Sequence, residues 1–94
     1  MTFLYVAHNM NHERWSKINF AQSARKHRVG ISSAIFVIQT NEYQIIQNHD
    51  PLKFAWVGVD ARGRELEIIA VQDGTEILVI HVMPTIYRRG KKNG

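Results

Sequence analysis

Ninety-four residues suit one domain rather than two, and 45% hydrophobic with 21% charged residues describes a globular chain, not a disordered one. Twelve Lys and Arg against eight Asp and Glu leave a net charge of +4, which favours polyanions or an acidic protein as partners. The lack of cysteine excludes disulfide frameworks, thiol catalysis and cysteine-ligated zinc, and it fits a reducing, cytoplasmic home.

Met1 to Ala7 contains no basic stretch and stops being apolar at His8, so no signal peptide is expected. No apolar run reaches the roughly 20 residues that span a bilayer, and no membrane role is expected. His8 and His12 stand i, i+4 with only Glu13 beside them, too few donors for a closed site, so neither metal nor cofactor is expected. Residues 1–16 carry no decisive pattern. Trp15, Ile18 and Ala21 would line one helical face. Alternatively, Trp15, Lys17 and Asn19 alternate with Ser16, Ile18 and Phe20, which suits a short strand ending at Phe20 and is preferred here.

Ala21 to His27 is good helix material, and the cations at its end interact favourably with the negative pole of a helix dipole. Val29-Gly30 stops it. Ser32 offers an N-cap, and Ile31, Ile35 and Ile38 at i, i+4 and i+7 predict a second amphipathic helix over Ser33–Gln39. After Asn41 the period changes to two. Tyr43–Gln47, Lys53–Val59, Glu65–Gln72 and Glu76–Met83 then read as strands. A turn at Asn48–Pro51, a hairpin loop at Asp60–Gly63 and the hairpin signal Asp73-Gly74 separate them. Pro84 ends the sheet, and residues 90–94 form a basic tail. The expected architecture is a single α+β domain, two N-terminal helices packed on a three- to four-stranded antiparallel sheet.

Simple alternation along the last strand puts Ile77, Val79, His81 and Met83 on one face and Leu78, Ile80 and Val82 on the other. A strand apolar on both faces wants cover on both sides, and two short helices supply one. The uncovered face predicts a hydrophobic partner surface, for a second copy of the chain or a different protein.

No phosphate loop, dinucleotide fingerprint, HExxH or nucleophile elbow is present. Arg25-Lys26-His27-Arg28 is the densest basic group. It is either a solvated helix end or a phosphate clamp, with Lys26 as a point charge and an arginine as a fork. Arg62 and Arg64 sit in or beside the hairpin loop, where charges usually serve only solubility. His81 lies in the most apolar strand, as a satisfied core histidine or as a titratable group at the edge of a pocket. Tyr87-Arg88-Arg89 follows it closely. If these groups converge, they hold what RNA cleavage without metal requires. A base takes the ribose 2′-OH proton, cations stabilise the crowded phosphorane, and an acid protonates the leaving 5′ oxygen.

Three stretches together resemble the small bacterial BrnT-like toxins, within the wider RelE-type group of type II toxin–antitoxin systems. They are Ser23-Ala24-Arg25-Lys26-His27, Gly63-Arg64-Glu65-Leu66-Glu67-Ile68-Ile69, and Ile80-His81-Val82-Met83-Pro84 with Tyr87-Arg88. The resemblance runs from about Lys17 to Arg89. It implies a RelE-like fold and a metal-independent ribonuclease that inhibits translation by cutting mRNA, on or off the ribosome. A cognate antitoxin protein would hold it inactive. By position, Lys26 and His27 match the family's lysine–histidine pair, Arg64 its arginine entering the long strand, and His81 with Tyr87 and Arg88 the end of the last strand. Their implied roles are His81 or Lys26 as base, Arg64 and Arg88 as phosphate stabilisers, and Tyr87 as acid or stacking platform. Arg25, Arg28, Arg62 and Arg89 would add RNA-binding charge. The chain departs from the family where a glycine normally follows the lysine–histidine pair, since Arg28 and Val29 intervene here before Gly30.

Two other functions compete. Ala21 to Gln39 has the length of a helix-turn-helix, but the would-be recognition helix is apolar and uncharged, whereas reading base edges wants Arg, Lys, Asn or Gln. A non-catalytic interaction protein using its apolar sheet face is the other.

Overall fold

Alternation governs the second half of the chain, and the structure, a computed structural model describing residues 15–87, builds strands where period two puts them. In chain order the elements are β1 (Lys17–Phe20), a 3-10 turn (Gln22–Arg25), helix α1 (Ile31–Thr40), β2 (Gln44–Gln47), β3 (Lys53–Val59), β4 (Glu65–Asp73) and β5 (Glu76–Pro84). They form one five-stranded sheet in the order β1-β5-β4-β3-β2. β2 to β5 pair antiparallel in sequence. β1 instead runs parallel to β5, Lys17 opposite Glu76 and Phe20 opposite Val79. The β4–β5 hairpin turns on Gly74-Thr75, with φ 63° at Gly74, the positive value that the first central residue of a type II′ turn requires.

The core lies on one face of this sheet. Phe54 and Trp56 of β3, Leu66, Ile68 and Ala70 of β4, and Ile77, Val79 and Val82 of β5 pack against Ala34, Val37 and Ile38 of α1. Trp15 caps the group, its ring 5.2 Å from Phe54 and 5.8 Å from Trp56, both edge-on, an arrangement that aromatic quadrupoles favour. Gly58 is in β3 because a Cβ there would run into the Asn41 side chain, whose amide closes α1 by donating to the Val37 carbonyl at 2.9 Å.

The predicted architecture is corrected on two counts. The sheet is mixed and five-stranded, not three- to four-stranded and antiparallel, because the strand ending at Phe20 docks beside β5. Alternation reveals a strand but says nothing of a neighbour at the far end of the chain. The second correction concerns the helices. Among the described residues α1 is the one helix of seven or more residues, and Ala21–His27 yields only the four-residue 3-10 turn. Ala24 is the one buried residue of that turn, so no apolar stripe holds a helix against the sheet, and so short a helix is marginal without one. A helix-turn-helix needs two helices, so the DNA-binding alternative loses its scaffold.

The faces of β5 also depart from simple alternation. A bulge at Ile80, between the Ala70–Val79 and Ile69–His81 pairs, gives β5 one extra residue. Ile77, Val79 and Val82 therefore face the core, while Leu78, His81 and Met83 lie on the opposite side. Val57 and Val59 are half exposed on that same opposite side. Among the described residues no helix is long and apolar enough to cross a membrane.

Candidate active site

β1 gives out at Phe20. Its last rung is the Ala21 N–H donating to the Val79 carbonyl at 2.8 Å, and the bulge then breaks the register that a longer β1 would follow. The Ser23 hydroxyl takes over, donating to the Ile80 carbonyl at 2.8 Å, and the chain turns away from the sheet. An open cleft of about 510 Å³ results. Ser23, Lys26 and His27 line it from the turn, Ile80, His81 and Met83 from β5, and Tyr87 from just beyond. Bulges recur beside active sites because they re-aim side chains, and this one sends His81 away from the core.

The cleft thus gathers two imidazoles, an ammonium and a phenol from opposite ends of the chain. The ring of Tyr87 stands 5.5 Å from that of His27. His81 Nε2 lies 3.3 Å from Glu67 Oε1. A carboxylate only accepts, so Nε2 is the donor and Nδ1 is left to take a proton. A tight charge-assisted bond is about 2.7–2.9 Å, so Glu67 orients the ring without clamping it. With 31% of its side chain exposed, His81 is not the satisfied core histidine that its apolar strand allowed. The Lys26 ammonium has no hydrogen bond or ion pair among the described residues, which leaves its charge for a ligand.

Arg64 does not line this cleft. Its Nε and Nη2 both lie 3.0 Å from Oδ2 of Asp60, which is 4% exposed, while Oδ1 accepts the backbone N–H groups of Arg62 and Arg64 at 2.9 Å each. The pair organises the β3–β4 loop, where Gly63 takes φ 85°. Burial pushes the Asp60 carboxyl up, but these hydrogen bonds and the guanidinium charge outweigh it and hold the group below its ordinary 3.8. A carboxyl depressed by folding adds stability above its unfolded value and loses it as pH falls through the folded one. Asp60→Asn is therefore expected to cost about 1–3 kcal/mol at neutral pH, a difference that shrinks once pH falls below the ordinary 3.8 and the folded carboxyl takes up its proton. Urea titrations of both proteins across that range would show it, and a gap independent of pH would refute the account.

Lys26, His27, His81 and Tyr87 line the cleft together. Arg25 and Arg28, both exposed, flank the cleft-lining pair in sequence but do not line the cleft. Arg62 is exposed in the β3–β4 loop, and Arg88, Arg89, His8 and His12 lie outside the described residues. Sequence reading missed Glu67 and Ser23. Glu67 sits opposite Met83 and diagonal to His81, a relation that appears only once the bulge fixes the register. No family model, curated protein or solved structure matches this chain.

Proposed function

We propose that the chain is a metal-independent endoribonuclease cutting single-stranded RNA, and that it serves as the toxin of a type II toxin–antitoxin pair. The gathering of Lys26, His27, His81 and Tyr87 around one open cleft carries the proposal. His81 Nδ1 takes the ribose 2′-OH proton, and the 2′ oxygen attacks phosphorus. The Lys26 ammonium offsets the charge growing on the non-bridging oxygens. The bond to the 5′ oxygen then breaks as Tyr87 or His27 delivers a proton to it. The products are a 2′,3′-cyclic phosphate and a 5′-hydroxyl end. Arg64 leaves this set, because its guanidinium is committed to Asp60. The biological setting comes from the sequence resemblance alone: mRNA as substrate, translation as the process inhibited, and a cognate antitoxin as the restraining partner.

The test is incubation of the purified protein with a labelled single-stranded RNA in the presence of EDTA. Cleavage leaving cyclic-phosphate ends, and blocked by one 2′-deoxy nucleotide at the cut site, is the expected result. RNA that stays intact at low salt would reject the proposal. The exposed Val57 and Val59 favour a second reading, an interaction module that binds a partner or a second copy through its outer sheet face. A stable complex with a partner, with RNA left intact throughout, would decide for it.

A further inference from the structure

Arg28 stands out among the basic residues of the turn. Its backbone has φ 59°, and it is the one residue other than glycine with positive φ among the described residues. Its N–H donates to the Arg25 carbonyl at 3.1 Å, closing the turn. The left-handed step then lets the chain drop Val29 into the core and begin α1 from Gly30. Glycine takes that step freely, whereas a residue with a Cβ is strained in it. The fold gains nothing in return from the arginine side chain, which is exposed and makes no hydrogen bond or ion pair among the described residues. No Asp or Glu stands close to it in sequence, none occurring from Ser16 to Asn41. The result is a strained residue bearing a free guanidinium, one position beyond the cleft-lining His27.

We infer that Arg28 is a phosphate anchor beside the cleft, gripping the backbone of a single-stranded RNA next to the linkage held by Lys26 and His81. This rests on the nuclease proposal above. A planar fork of donors fits two phosphate oxygens at once, which a lysine at the same place would not match.

The experiment compares Arg28→Gly, Arg28→Gln and Lys17→Ala with the wild type, measuring melting temperature and binding of a short 2′-O-methyl RNA over a salt series. Arg28→Gly is expected to melt roughly 2–6 °C higher, as the strain is relieved. Its affinity falls roughly 5- to 10-fold at low salt, and the slope of log K against log salt flattens by about 0.7, the value of one contact on a single strand. Arg28→Gln keeps the backbone and loses the charge, so it shows the same loss of slope without the gain in melting temperature, even if the glycine variant folds poorly. Lys17→Ala removes an equal charge at the far end of β1 and leaves the slope within about 0.2 of the wild type. Unchanged RNA binding in both Arg28 variants, with cleavage by the wild type intact, overturns the anchor and spares the nuclease. An equal loss toward duplex DNA, or competition by inorganic phosphate alone, overturns the assignment to an RNA single strand. A wild type that neither binds nor cuts RNA sinks both.

Discussion

Replacing His81 with alanine is expected to slow the proposed RNA cleavage, read in single turnover, by about 10²–10⁴-fold, the range typical of a lost general base. The protein itself should fold normally. The His81 side chain sits on the sheet face opposite the core and its one described polar partner is Glu67, so truncation opens no cavity among the packed residues. Glu67→Gln separates orientation from charge. Its amide oxygen still accepts from Nε2, but it no longer offsets an imidazolium, so a drop of about 10-fold is expected. The order His81→Ala well below Glu67→Gln, with matched melting curves, is the signature of a base and its positioning residue. Cleavage by His81→Ala at the wild-type rate would remove His81 from the chemistry and leave Lys26 or His27 as the base.

Trp56→Ala is expected to cost about 3–5 kcal/mol, a large part of what a domain of this size has to lose. Trp56 is 1% exposed and packs edge-on to Trp15. Its indole N–H adds a second, opposing effect: Nε1 is buried without a hydrogen-bond partner among the described residues. An orphaned donor costs about 1–3 kcal/mol, so Trp56→Phe gives up ring area but sheds that penalty, and should fall within about 1 kcal/mol of the wild type. Urea denaturation followed by circular dichroism reads both variants. A phenylalanine variant as unstable as the alanine one would show that the indole donor is satisfied after all.

What was legible in the sequence is what local pattern controls. Lys53–Val59 alternates cleanly and turned out to be β3 with the same bounds, because inward and outward positions along one strand need only that strand to be read. The docking of β1 against β5, by contrast, joins residues from the two ends of the chain, and no periodicity records it. The bulge at Ile80 is equally silent, since Val79-Ile80-His81 is apolar enough to fit either register. That one residue decides whether His81 faces the core or the cleft. Arg64 shows a different limit. Its spacing from Asp60, four residues earlier, does not reveal that this carboxylate is buried and holds the guanidinium. Lys26 and His27 were legible as a basic cluster, although the helix expected to carry them shrank to a single turn.

The split origin of the cleft has a consequence for synthesis. One wall comes from Ser23 to His27 and the other from Ile80 to Tyr87, and the walls meet only when β5 lies between β1 and β4. A nascent chain from which β5 has not yet emerged lacks this cleft, even when the turn that carries Lys26 and His27 is already outside the tunnel. The cleft and the closed sheet therefore appear together, and whatever unseats β5 removes both.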